Sequence, residues 1–274
     1  MKQFNDLMKH GLVPYVATSQ NFLPSLDVAA LGDNVVVKLM EDSKNHDFHE
    51  AYLLSNALSF KSDLKMPHWV YLDCVLMQTA VVGFAMAVKD IPERLLEFYK
   101  EDPNVNLDNI DYIPISGQIA AMGIDGQSLT GFSLFSLRQY LPNRDIPALG
   151  GVTKYAALAA YKAQEKEKYV GISQYDNKAL LTHAAFTDKM YIDTPIAAMH
   201  PRKDMSFVYS MKIDLEAYGA KKEVIEPDFL LKADDKDKKI ELQERIRAGE
   251  RFYIAHPTQI KKDDGLYLPI CIEE

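Results

Sequence analysis

Interleaved strand and helix periodicities predict an α/β (α+β) fold for this chain. Three observations carry the prediction. Ser128–Arg138 (SLTGFSLFSLR) and Asp204–Leu215 alternate with period two, the period of a strand. Val152–Lys168 lies between them, rich in alanine, with Tyr155, Leu158, Ala159 and Tyr161 spaced for one buried helical face. Asp125-Gly126 is a hairpin-turn dipeptide that joins Tyr112–Ile124 to Ser128–Arg138.

The remaining elements follow in order. Residues 1–33 are punctuated by Gly11, Pro14, Pro24 and Gly32, and read as an accessory segment of short helices or loops. Val35–Met40 is β-branched and apolar, hence a strand. Over Asp47–Phe60 the residues Phe48, Ala51, Tyr52, Leu54, Ala57 and Leu58 fall near a helical repeat, with Ser43 or Asn45 as the cap. His68–Asp73 and Met77–Lys89 read as the strands of a hairpin, with Gly83 as a bulge or a point of close approach. Ile91–Tyr99 is a short helix with Pro92 in its first turn. Lys100–Asp111, acidic and Asn-rich, is a solvated connector. Ser128–Arg138 carries apolar groups on both faces, so it is expected to be a central strand covered on both sides.

After the long helix come a strand at Tyr169–Ser173, a helix at Asn177–Phe186, and strands at Tyr191–Met199 and Asp204–Leu215. From Glu216 the composition shifts. A charge run (DDKDKK) leads into a charged helix at Lys238–Ala248, which Gly249 stops, and Phe252–Ile254 and Leu266–Ile272 are short closing strands. The domain reading is an accessory segment 1–33, a core domain 34–215 and an accessory segment 216–274 packed on that core.

Composition bounds the function. With 274 residues, 47% hydrophobic and 26% charged, the chain can bury a sizeable core. A net charge of -8 argues against nucleic acid, whose phosphates need a basic face, and against an anionic membrane surface. A small anionic ligand remains compatible, because local field governs there. Cys74 and Cys271 stand far apart in no metal-ligand spacing, and Cys74 reads as a buried structural thiol. The N-terminus lacks an uninterrupted apolar h-region, and the longest apolar run, Ala80–Val88, is too short to span a bilayer. A cytoplasmic protein acting on a small-molecule substrate is expected.

A glycine pair feeding a helix is a physical anion site, because the first backbone N–H groups of a helix lack intrahelical acceptors. Gly150-Gly151 before Val152 offers that feature, and a tight loop with a helix cap is its structural alternative. With this loop, the order from strand 35–40 to strand 204–214 (strand, helix, hairpin, short helix, two strands, glycine loop, helix, strand, helix, paired strands) resembles the GNAT family of acyl-CoA-dependent N-acyltransferases, over residues 34 to 214 by topology. The resemblance implies a mixed, mostly antiparallel sheet flanked by helices, with extra N- and C-terminal segments. It implies that Arg144–Gly151 and the start of Val152–Gln164 hold the coenzyme A pyrophosphate, with Arg144, Gly150, Gly151, Val152 and Asn177 as cofactor contacts. It implies no metal.

At the family's offsets after the next strand stand Asp176, Ala179, His183 and Phe186. His183 occupies the place of a tyrosine that protonates the departing thiolate, a transfer histidine can also perform. Tyr175 is the alternative acid, and Asp176 or Glu50 can polarise the nucleophile. The loop differs from the family pattern: Asp145-Ile146-Pro147-Ala148-Leu149 separates Arg144 from the glycines, and Pro147 has no N–H to give.

Each of these residues also has a structural reading. His183 suits a hydrogen-bonded, half-buried helix position, and Asp176 and Asn177 suit helix caps. His46, His49 and Glu50 invite a metal reading but lack a third ligand, and suit a solvated surface. His200-Pro201-Arg202-Lys203 is a basic corner able to meet a phosphate or carboxylate, or a plain connecting turn. Two rival functions stand beside the acyltransferase. One is a hot-dog-like acyl-thioester hydrolase or decarboxylase, with Val152–Lys168 as its central helix. The other is a non-catalytic small-molecule-binding accessory protein.

Overall fold

Strand Ala80–Ala87 is buried along its length, and its neighbours are arranged around it. The computed structural model describes residues 2–60, 64–123, 125–142, 146, 148–198, 200–256 and 258–273. They form two compact units, one of Met1–Met122 and Gly131–Glu165, the other of Gly123–Thr130 and Lys166–Glu274. Both contain strands and helices, and the sheet is mixed but mostly antiparallel, as the sequence predicts.

The first unit contains α1 (Lys2–Lys9), β1 (Leu12–Thr18), β2 (Val36–Leu39), α2 (His46–Ser59), β3 (Ala80–Ala87), α3 (Glu93–Glu101), β4 (Tyr112–Met122), the larger part of β5 (Ser128–Ser136) and α4 (Leu149–Ala160). Strand order is β2-β1-β3-β4-β5. β1 runs parallel to β2, with Tyr15 opposite Val36, and β3 runs antiparallel to both β1 and β4. Helices cover both faces of β4. Ser116 hydrogen-bonds Thr153 of α4, whereas a side chain on Gly117, the next residue, would meet Tyr52 of α2. Successive strand residues face opposite sides, so α2 and α4 do too.

Three expectations change here. Residues 1–33 do not stay outside the sheet, because β1 is an interior strand. Its burial is nearly continuous, so it shows no alternation, and Pro14 reads as a breaker in sequence. In the fold Pro14 sits one residue before the β1–β2 ladder begins. Second, His68–Asp73 is not a strand: Val70–Leu76 is π-helical, and β3 pairs with β1 and β4 instead. The aromatic residues that suggested a strand serve the π turn, where Tyr71 stacks on Tyr52 at 4.5 Å while Trp69 is 62% exposed. Third, β5 is not covered throughout, since Phe132 is 60% exposed. Most other expected elements form within a few residues of their predicted bounds, with Pro92 at the N-cap of α3 and α2 starting after Asn45, but the helix expected to reach Lys168 ends as α-helix at Ala160 and the strand expected to reach Met199 ends at Thr194.

The second unit contains β6 (Lys168–Gln174), α5 (Ala179–Ala184), β7 (Met190–Thr194), β8 (Ser206–Lys212), β9 (Phe229–Lys232), α6 (Lys236–Arg247), β10 (Phe252–Ile254), β11 (Ile260–Lys262) and β12 (Gly265–Ile272). The order is β6-β8-β7-β10-β12-β11, with β9 also on β12, and the pairings are antiparallel. The C-terminal residues from 229 onward thus supply strands of this unit's sheet. α6 starts on Asp235, whose carboxylate accepts from Lys238 N, and stops before Gly249 at a φ of 99° that favours glycine.

A close backbone approach at Gly83 gives a stability test. A Cβ built on Gly83 would lie 2.0 Å from the Ser116 carbonyl oxygen in the neighbouring strand. That oxygen is backbone and also accepts from the Tyr15 hydroxyl, so it has little room to move. Gly83→Ala is expected to destabilise the protein by about 3 kcal/mol or more in urea unfolding. A loss below about 1 kcal/mol would contradict the packing described.

Candidate functional site

The helix that begins at the glycine pair is α4, and it begins earlier than its sequence suggests. Leu149, not Val152, is its first residue, so Gly150 and Gly151 lie inside the first turn and not in a preceding loop. Alanine-rich sequence extends the helix from the far side, and Ala148 accepts the first bonds, from Gly151 N at 2.9 Å and Val152 N at 3.2 Å. The N–H groups of Leu149 and Gly150 have no intrahelical acceptor at that position. No side chain among the described residues caps the helix, and its first turn has no acidic residue. A side chain on Gly150 would meet open space, so an incoming group can approach the backbone there. Val152 is buried. Arg144 and Pro147 lie outside the described residues.

What fixes this helix is a set of buried hydroxyls. Thr153 Oγ1 donates to the Leu149 carbonyl at 2.7 Å and shares a 2.6 Å hydrogen bond with Ser116. At the other end, the Tyr161 hydroxyl accepts from Ala80 N at 2.9 Å and lies 3.0 Å from the Ala80 carbonyl. α4 also carries Lys154, fully buried, and burial holds its ammonium well below the usual lysine range. The sequence contains a signal for it: Lys154, Leu158 and Tyr161 are spaced i, i+4, i+7, which puts the lysine on an apolar face.

Tyr175, Asp176, Asn177 and His183 belong to the second unit, apart from the glycine pair in the chain's division. Tyr175 follows β6 directly and is buried. Its hydroxyl donates to the Pro195 carbonyl at 2.7 Å, and burial raises its pKa. His183 is buried in the last turn of α5, its ring 5.2 Å from that of Tyr209. Phe207 lies 4.9 Å from Tyr175 and 6.3 Å from Tyr209, so a continuous row of rings joins Tyr175 to His183. Asp176 is exposed beside this row. Asn177 takes the capping role, its Oδ1 accepting from Ala179 N at 2.9 Å.

Two residues that sequence reading passed over hold this segment. Lys239, on α6, places its ammonium 4.2 Å from the centre of the Tyr175 ring and donates to the carbonyls of Asp204 (2.6 Å) and Ala233. Burial is the main influence on it and lowers its pKa. In sequence Lys239 is hidden inside a charge run that reads as solvated. Gln259 donates to the carbonyls of Tyr175 (2.6 Å) and Asn177 (3.2 Å).

The histidines of α2 divide. His46 is exposed, as the surface reading expects. His49 is not: it is buried, with Nδ1 3.2 Å from the Tyr71 hydroxyl. Glu50 is also buried, paired with His68 at 2.6 Å. His46 and His49 line a cleft of about 530 Å³ with Met40, Asp42, Ser43 and Leu72. Among the described residues, no group of three or more His, Cys, Asp or Glu is placed to hold a metal ion, and no helix is long and apolar enough to cross a membrane.

No protein-family model and no curated protein matches the chain. Among solved structures it is similar to one described as the crystal structure of the NatC complex bound to Gag peptide and CoA. Identity is 11% and the TM-score 0.41, with 63% of this chain and 94% of that chain covered. A likeness that remote carries no argument about the site.

Burial pushes the His49 pKa down to about 4, against which the Leu39 carbonyl acts as a smaller, raising influence, while His46 and Lys38 lower it further. The unfolded chain therefore binds a proton near pH 6.5 that the folded chain refuses until about pH 4, so stability falls as pH drops through that window. Urea unfolding at pH 7.5 and pH 5 is expected to show the wild type losing about 2 kcal/mol more than His49→Gln over that interval. Equal losses in both would show that His49 is not held neutral by burial.

Proposed function

We propose that the protein is an acyltransferase that takes an acyl group from an acyl-CoA thioester and passes it to a small-molecule amine. The observation that carries this reading is the start of α4. Among the described residues no side chain caps the start of α4 and its first turn has no acidic residue, and at Gly150, which is open, the backbone N–H and the positive end of the helix dipole can meet a phosphate. The coenzyme A pyrophosphate fits that chemistry. Coenzyme A supplies the activated thioester, and the chain supplies the rest.

Acyl transfer needs a proton for the departing thiolate. Two candidate donors sit on one row of aromatic rings. Tyr175 keeps its proton, because burial raises its pKa, but its hydroxyl is occupied by the Pro195 carbonyl. His183, at the other end of that row, is the donor assigned in this reading. Asp176, exposed at the end of β6, is the carboxylate assigned to polarise the incoming amine, and Glu50, being paired with His68, suits that role less.

The test uses a variant that separates folding from binding. Gly150→Asp has room for its side chain, and a carboxylate in a first helical turn is stabilising by up to about 1 kcal/mol. It also puts a negative charge where the phosphate belongs. Calorimetry with acetyl-CoA and longer acyl-CoAs is expected to show saturable binding to the wild type, and a loss of about tenfold or more in Gly150→Asp with unchanged or raised thermal stability. No heat from any acyl-CoA with folded wild-type protein would overturn the proposal.

A further inference from the structure

The second unit contains a cleft of about 620 Å³ lined by residues of β6, β7, β8, α6 and β10, apart from every residue assigned above. Its floor has an unusual charge arrangement. The register of β6 and β8 sets Lys168 directly opposite Lys212, so the two lysines share a face with their Cβ atoms about 5 Å apart. Met190 opposite Met211 brings Lys189, the residue before β7, beside Lys212 on its other side. Arg251 lies over the Tyr191 ring at 4.2 Å. Four cations thus gather at one edge of an acidic chain.

The carboxylates nearby do not neutralise the central pair. Glu273 is shared by Lys189 (2.9 Å) and Arg251 (2.8 Å) and accepts from the Tyr191 hydroxyl. Asp193 accepts from Ser210 Oγ at 2.8 Å. Glu250 is held by Arg245. Asp125, which Lys168 influences, accepts from Gln127 N, Ser128 N and Ser128 Oγ. Glu167, which precedes Lys168, also lines the cleft but forms no ion pair with either lysine among the described residues. Among the described residues, neither Lys168 nor Lys212 has an ion pair. Like charges directly opposed across a strand pair cost stability, which an oxyanion between them would reverse. The walls add apolar surface from Tyr191, Ile246 and Phe252, in a volume typical of small-molecule sites.

We infer that this cleft binds a small molecule carrying a phosphate or carboxylate on an apolar body, the oxyanion between Lys168 and Lys212 and the body against Tyr191 and Ile246. The inference does not depend on the acyl-CoA reading, because the residues are different. Calorimetry with phenyl phosphate, benzoate and inorganic phosphate tests it. Phenyl phosphate, benzoate or both should bind saturably at one site, inorganic phosphate about tenfold more weakly for want of the apolar wall, and affinity should fall as salt rises. Binding of phenyl phosphate alone assigns a phosphoryl ligand, and of benzoate alone a carboxylate. The double variant Lys168→Ala/Lys212→Ala removes two exposed side chains, so it should melt as the wild type does and lose at least tenfold in affinity. Gly150→Asp should bind these probes unchanged. No saturable binding to the wild type, or binding that the double variant leaves intact, would overturn the inference.

Discussion

The first unit depends on the need to satisfy polar groups that burial has cut off from water. The Tyr161 hydroxyl is buried against β3 and can only remain so by bonding the Ala80 backbone and Thr79. Thr153 is in the same position against Ser116 and the Leu149 carbonyl. An unmade bond at such a site costs more than a made one contributes, so these contacts define where α4 lies on the strands. The placement of the Leu149–Gly151 turn follows from them. Tyr15, Ser55 and Tyr99 repeat the device around α2 and β4, with the Ser55 hydroxyl reaching both Tyr99 and the Pro114 carbonyl.

The second unit uses a cation for the same purpose. Lys239 is drawn into the interior by two carbonyls and the Tyr175 ring, which together replace the water its ammonium loses. It ties α6 to the end of β6. Tyr175 is buried and hydrogen-bonded to the Pro195 carbonyl, while Asp176 beside it stays open to solvent.

Much of this fold was legible in the sequence, for identifiable reasons. Period-two runs such as Ser206–Lys212, the Asp125-Gly126 turn, and Gly249 after α6 are local signals that tertiary contacts leave intact. Failures came where tertiary contacts decide. β1 is buried on both faces and so lacks alternation, and Pro14 masked it further. The π turn at Val70–Leu76 exists because Tyr71 must reach Tyr52 and His49, which no local pattern around Trp69 reveals. The candidate site was legible only in part. Asn177 reads correctly as a cap, and the glycine pair correctly marks a helix start, displaced by three residues because Leu149 is compatible with either state. Lys154 was readable from its apolar helical face, whereas Lys239 was not, because a lysine in a charge run looks solvated until the partner carbonyls are known.

The central claim is that the first turn of α4 receives phosphate oxygens through its backbone. Its most direct test is an amide-resolved NMR titration of the full chain with coenzyme A. The account predicts the largest saturable shifts at the Leu149 and Gly150 amides, the two whose N–H groups have no partner within the helix. Saturation of the protein with those two amides unmoved would contradict it.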